Sequence, residues 1–232
     1  MHVEDQNHAH IVEGNLEVLE QGMQLVLQLT DKQYNTSVPA YSCSSIGQHF
    51  RHVLDMYQAV LPALTLPAQT LRAPTSPAQT SPALANSGTT QAIANVIDYD
   101  TRRRGASVET QRKTAIEELR SIKQHIEHRT APLCLSIDVK TEVCVEHTRF
   151  ALIPSTLARE LAFVSAHAVH HFALMKVIGK MLGASLDQSF GLAPASASHQ
   201  RAQQLEQQEQ EQQEQEQEQR EQVQPATTAL AS

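Results

Sequence analysis

Two short histidine clusters, each set in the apolar stripe of an amphipathic segment, constrain this chain more than any other feature. His49-Phe50-Arg51-His52 lies in the run from Ser45 to Asp55, and His167-Ala168-Val169-His170-His171 lies in the run from Glu160 to Leu174. These stretches hold five of the twelve histidines. His167 and His171 are four residues apart, which on a helix makes them neighbours on one face. In the first run Ile46, His49, His52, Val53, Met56, Tyr57 and Val60 recur at helical spacing, so the imidazoles sit on or beside the inward face. Helices with polar groups so placed bury their stripes best by facing one another across a shared core.

The rest of the pattern supplies further helices. Ile11, Val12, Leu16, Leu19, Met23, Val26 and Leu27 predict an amphipathic helix over about 9–30. The first histidine helix is predicted over about 45–61, with N-cap candidates in Tyr41-Ser42-Cys43-Ser44-Ser45 and an end near Pro62. A third helix is expected from Ser107 as N-cap to about His128, with Glu109 in the first turn, where the dipole favours an anion. The fourth is expected over about 157–182, closed by Gly183. Before it, Leu133–Val139 and Val143–Glu146 alternate around Lys140-Thr141-Glu142 and read as a small hairpin. The expected fold class is therefore all-α: a four-helix bundle over about 7–190 with one β-hairpin before the last helix. Within it, 64–92 is rich in Pro, Ala, Ser, Thr and Gln and reads as a flexible insertion. The tail, 193–232, is dominated by Gln and Glu, lacks apolar a and d positions, and is expected to be disordered or a transient solvated helix.

Composition narrows the function classes. A formal charge of −7, with only Arg102-Arg103-Arg104 as a basic run, argues against nucleic-acid binding, which needs a cationic face. Cys43, Cys134 and Cys144 form no CxxC pair, so cysteine-based zinc is not supported, and their sparse, odd count fits a reducing compartment. No signal-peptide pattern opens the chain, and no apolar stretch approaches about 18 residues. The expectation is a cytoplasmic protein without a membrane span, and a homodimer through an exposed helix face would be in keeping with a bundle of this size.

A set of His52, His167 and His171 would give an ion three neutral ligands and leave coordination positions open, the arrangement of reactive rather than structural sites. Imidazole suits zinc, nickel, copper or iron. An ion so held would lower the pKa of a bound water, or deprotonate a bound thiol. The competing reading is that these are hydrogen-bonded core histidines, which a single HxxxH pair more often is. His49 and His170 lie within a turn of the favoured ligands, as outer partners or core groups. His49 and Glu160, the latter two turns before His167, are the candidate acid–base residues; Glu160 pairing with Arg159 is the plainer alternative. Asp55, three after His52, could orient that imidazole or be an ordinary helix carboxylate. Asp98, Asp100, Arg102 and Arg104 read as a capping network or a pocket rim, and Cys43 as a buried, inert thiol at a helix head.

The segments Ser45–Asp55 and Arg159–Val164 leading into His167–His171, together with Tyr99-Asp100-Thr101-Arg102-Arg103-Arg104, resemble the DinB-like (DinB/YfiT) superfamily of metal-binding helical bundles. The resemblance covers about 7–186, interrupted by the Pro/Ala/Thr insertion. It implies an up–down–down–up bundle with a long crossover, and a divalent ion (zinc, nickel, iron or manganese) on His52, His167 and His171. It further implies thiol-dependent S-transfer or hydrolysis, with a small-molecule substrate and a low-molecular-weight thiol as partners. The rival expectations are a non-catalytic metal-binding stress-response protein and a helical interaction protein.

Overall fold

In a computed structural model of the chain, residues 3–66 and 96–223 are described. The expected insertion lies outside them apart from residues 64–66. Contacts divide the chain into two units, 1–191 and 192–232. The first is mostly helical with one small sheet. Its helices are α1 (Val3–Gln28), α2 (Asp31–Asn35), α3 (Ile46–Val60), α4 (Arg112–Glu127) and α5 (Leu157–Met181), and its strands are β1 (Val96–Asp98), β2 (Ser136–Glu142) and β3 (Phe150–Thr156). The long helices pack in a ring, α1 against α4 and α5, and α3 against α5 and α4.

Local chemistry sets the ends of the helices that matter. Ser45 caps α3: its hydroxyl accepts from the Gln48 N–H while the Gln48 side chain accepts from the Ser45 N–H, so two orphan donors are satisfied at once. Thr156 caps α5 by accepting from the Arg159 N–H. Gly183, at φ +74°, takes the left-handed position past the end of α5. The core between these helices holds Leu19, Val26, Phe50, Leu54, Leu119 and Phe172, all buried. Its two largest buried phenols are paired: Tyr57 donates to Asn15 Oδ1 at 3.0 Å and Tyr34 to the Val108 carbonyl at 2.7 Å.

Two elements differ from the sequence expectation, and a third takes one of the two forms it allowed. The hairpin exists, but its second strand is β3 rather than 143–146, and the connection runs through 143–149. Pro154 is tolerated inside β3 because β3 is the sheet edge, where a missing N–H breaks no ladder; β1 adds a parallel pair on the other side of β2. The third long helix begins at Arg112, after a separate 3₁₀ turn at Ser107–Glu109 whose Val108 is buried. In the second unit Pro194–Val223 is one helix, α6, the solvated-helix form of the two that the sequence left open. Gln and Glu are good helix formers and Pro suits a first helical position, so local propensity suffices where no apolar stripe exists. Its described side chains are nearly all exposed, Leu205 included.

Gly47 sets how closely α3 approaches the 3₁₀ turn. A Cβ there would collide with the Glu109 carbonyl and stand 2.6 Å from the Tyr34 ring. Gly47→Ala is expected to destabilise the fold by about 1–3 kcal/mol, the usual cost of overpacking. Urea unfolding followed by circular dichroism checks this; an unchanged midpoint would mean that the turn yields freely.

Candidate metal centre

Because α3 packs on α5, the two histidine clusters meet. His52 Nε2 lies 2.9 Å from His167 Nε2. The His171 ring centroid is 4.7 Å from both the His52 and the His167 ring. One nitrogen from each of the three lies within 4.8 Å of the other two, and no other such donor group occurs among the described residues. Two nitrogens bound at about 2.1 Å to one ion stand about 3.0–3.4 Å apart at ordinary coordination angles, so the His52–His167 pair needs only a small adjustment to share one.

The cluster is neutral by construction. Burial lowers the pKa of His49, His52, His167 and His171. Burial first, then the Arg102 charge, brings His52 to about 4. Burial, then the neighbouring imidazoles, brings His171 to about 3. At neutral pH each therefore keeps a lone pair for a metal. The donor set fits a borderline divalent ion such as zinc, nickel or iron; manganese, which prefers oxygen, fits it less well.

The two outer histidines differ. His49 Nδ1 is 3.0 Å from His171 Nδ1, and His49 Nε2 is 3.5 Å from Ser42 Oγ, so His49 backs His171 without joining the triad. His170 is exposed, with its ring centroid 5.5 Å from that of His171 and 6.4 Å from that of His167.

The proposed carboxylates are occupied elsewhere. Asp55 makes no hydrogen bond to His52. Its Oδ2 accepts from Arg51 at 2.9 Å and from the Arg103 N–H at 3.1 Å, and its Oδ1 accepts from Arg103 Nε at 2.6 Å. Arg51 continues to Glu109, and Arg103 makes a two-pronged contact with Glu118. Glu160 is fully buried, but it accepts from Tyr99 at 2.7 Å, Ser155 at 2.5 Å and Arg159 at 2.7 Å rather than from a histidine. Burial and the Glu160 carboxylate together push the Tyr99 phenol far up, so it stays a donor. Asp98 binds Lys140 across β1 and β2 at 2.8 Å, and Asp100 accepts from the Glu142 N–H, so this stretch ties the sheet together. Cys43 and Cys134 are exposed, which corrects the reading of Cys43 as buried; the short loop before Ser45 has no apolar cover for it.

Beside the triad a groove of about 430 Å³ opens between the sheet and α5, with Val139, Ile153 and Phe163 as apolar walls and Arg159 at its rim. Phe163 also faces the triad, its centroid 6.0 Å from that of His167. A cavity of about 460 Å³ between α1 and residues 187–190 contains none of the five histidines. Ser42, Tyr99 and Phe163 could not be picked from sequence as site residues. Only Phe163, four before His167, carried a helical-spacing signal.

No family model matches the chain, and no solved structure matches it. Among curated proteins, FK506-binding protein 5 of Rhizopus delemar is 33% identical over 119 residues. The match covers 49% of this chain and 30% of that protein, so the chain spans well under half the length of the relative it matches.

The lowered histidine pKa values fix a pH dependence. In the unfolded chain histidine takes up a proton near pH 6.5, whereas native His52 and His171 do so only near 4 and 3. Between those values the unfolded state binds more protons, so native stability falls as pH falls. The metal-free protein should lose thermal stability steadily from about pH 6.5 to pH 4, and a His52→Gln, His171→Gln variant should show a flatter profile. Melting temperature against pH measures this; parallel profiles would mean that the imidazoles are not held neutral.

Proposed function

We propose that this chain is a DinB-like helical protein that holds one divalent ion on His52, His167 and His171 and serves a thiol-dependent transfer or hydrolysis. The observation that carries the reading is the convergence of three imidazole nitrogens from two helices, His52 lying 115 residues before His167 in sequence, all biased to the neutral form. A bound ion would supply Lewis acidity, favouring the anionic form of a thiol or of water at an open position.

The chain's own residues would do the remainder. Arg102 lies close enough to lower the pKa of both His52 and His167, and among the described residues no carboxylate pairs with it. Its guanidinium is instead steadied by the Tyr99 and Thr101 carbonyls. A cation that makes no salt bridge of its own, although the Asp98 carboxylate feels its charge, favours an anionic ligand such as a thiolate beside neutral ligands. The groove walled by Phe163 would seat the apolar part of an electrophilic substrate. Glu160 serves in this reading as an anchor for Tyr99 and Arg159, not as the acid–base group.

The non-catalytic alternatives are less well supported. A closed metal store would need a fourth protein ligand, yet His49 is turned to His171 and His170 is exposed. A helical scaffold with unrelated core histidines would leave His52 far from His167, and they are 2.9 Å apart. The likeness to FK506-binding protein 5 is confined to part of that protein, and no activity is carried over from it.

Metal analysis of natively purified protein tests the reading. About one equivalent of ion per chain is expected, and almost none in His167→Ala, His171→Ala. No uptake even after incubation with zinc, nickel, iron or manganese would overturn it. With the ion bound, Arg102→Ala should weaken mercaptoacetate binding about two- to fivefold, the worth of a partly exposed ion pair, and leave the cationic thiol cysteamine unaffected. Calorimetric titration of both thiols makes that comparison.

A further inference from the structure

We infer that β3 is a dimer surface, pairing antiparallel with β3 of a second copy of this chain about a two-fold axis at Ala151 and joining the two sheets edge to edge. Among the described residues that edge of the sheet has no partner strand. It is seven residues long, whereas β1, the opposite edge, has three. Val143, Val145, Phe150, Leu152 and Ile153 are all exposed, so half of the large apolar side chains that face water among the described residues fall within residues 143–153. A flat apolar edge of this kind is a template for another strand.

The ladder fixes which backbone groups point outward. The Val143 N–H donates to the Arg149 carbonyl at 2.9 Å, and hydrogen-bonded and open pairs alternate along an antiparallel ladder. With Thr141 opposite Ala151, Val139 opposite Ile153 and Ile137 opposite Ser155, the backbone of Ala151, Ile153 and Ser155 is turned to β2. The N–H and C=O of Phe150 and Leu152 therefore face the open edge, as does the position where Pro154 has no N–H. A second β3 set about Ala151 places Phe150 opposite Leu152 of the other copy, and Leu152 opposite its Phe150, each pair exchanging both bonds. Proline on an edge ordinarily discourages pairing. Here it selects the register: an axis at Leu152 or at Ile153 would set Pro154 opposite Phe150 or Leu152, where its N–H is needed, whereas an axis at Ala151 leaves it beyond both pairs.

The side chains fit that register. Phe150 and Leu152 share the outer face of the sheet, so they form apolar cross-strand pairs on both sides of the axis. Lys140, over the Phe150 ring at 4.6 Å, and Glu142 flank them as a polar rim. The hairpin tip, with exposed Glu146, runs alongside the end of β3 and the first turn of α5 in the other copy. A helix N-terminus and the exposed Arg159 favour an anion there. The five apolar side chains present on the order of 500 Å² per copy, the upper range of a monomer's largest patch. Two copies and the strand backbone bring the burial to on the order of 1,000 Å², the least that a specific interface needs.

Sedimentation equilibrium of the full chain tests the surface. At about 0.1 mM the mass should be twice the chain's 25.6 kDa and should fall on dilution, as suits a small interface. Phe150→Lys, Leu152→Lys changes only exposed positions, so circular dichroism should be unaltered while the dimer weakens about 10–100-fold. In a chain with Cys43, Cys134 and Cys144 replaced by serine, Ala151→Cys should cross-link to its counterpart on mild oxidation, because an open antiparallel pair stands at disulfide distance. Ile153→Cys, displaced along the strand from its counterpart, should not. A monomer at about 0.1 mM, a dimer that the double lysine variant leaves intact, or Ile153→Cys cross-linking as readily as Ala151→Cys each overturns the inference. A monomer whose Phe150 and Leu152 amides exchange slowly also overturns it, since a segment of the same chain would then cover the edge.

Discussion

The placement of the histidines depends on a buried carboxylate that is not among them. Asp55 has a side chain only 3% exposed, and both of its oxygens are held by Arg51 and Arg103. Through those two arginines one charge on α3 is tied to the 3₁₀ turn at Glu109 and to α4 at Glu118. Three donors meet its two oxygens, and loss of one partner from a buried pair typically costs about 3–5 kcal/mol. The same network orients α3 about its axis. With Asp55 turned to the arginine side, His52 and His49, three and six residues earlier, are turned toward α5. Gly47 then sets how near the helix comes to the turn, through a contact no side chain would fit.

The partner helix has a different character. By length and composition α5 is apolar enough to cross a membrane. Its Leu161, Val164, Ala168, Phe172, Met175 and Ile178 are nevertheless committed to the core of the first unit. Two polar stations interrupt that apolar face. Glu160, in the first turn, is fully satisfied by Tyr99, Ser155 and Arg159, and so welds the end of β3 and the β1 loop to the helix. The second station, His167 and His171, is met only by other imidazoles and by aromatic rings. A satisfied buried polar group is architecture. A group of imidazoles that face mainly one another, with their charged forms suppressed, is an unusual thing to bury unless something else completes it.

Much of this was legible in the sequence, and the failures have physical causes. HxxxH spacing and the apolar period placed His52, His167 and His171 on facing stripes, because helical geometry alone fixes which residues share a face. The sequence leaves Asp55 open, since it stands three residues from His52 and four from Arg51; the i,i+4 ion pair takes it, and its burial comes from Arg103, 48 residues away. Glu160 does pair with Arg159, the plainer of its two readings, but its other partners come from β3 and the β1 loop, 5 and 61 residues away, which periodicity does not reveal. The hairpin was misplaced because Val143-Cys144-Val145 alternates like a strand, while the real strand contains a proline that only an edge position permits. Ser42 stands in the run of N-cap candidates, but the cap is Ser45, and the contact of Ser42 with His49 depends on a loop conformation that no periodicity encodes. The helical tail shows the limit of patterning: a segment with no apolar stripe gives no tertiary forecast, yet its backbone preference remains strong.

These features together bear on why the cluster is built from neutral groups beside a cation. A carboxylate in the triad or behind it would raise ion affinity while reducing the ion's pull on a bound ligand. Here the nearest carboxylates are consumed in ion pairs, Asp55 by two arginines and Glu160 within a three-donor cage, while Arg102 has no carboxylate partner among the described residues. Such a field weakens binding of the bare cation and strengthens binding of an anion that completes its coordination. A protein selected only to store metal gains from the opposite arrangement. Under the proposed metal reading these electrostatics favour an anionic ligand at the site, an argument separate from the resemblance in sequence.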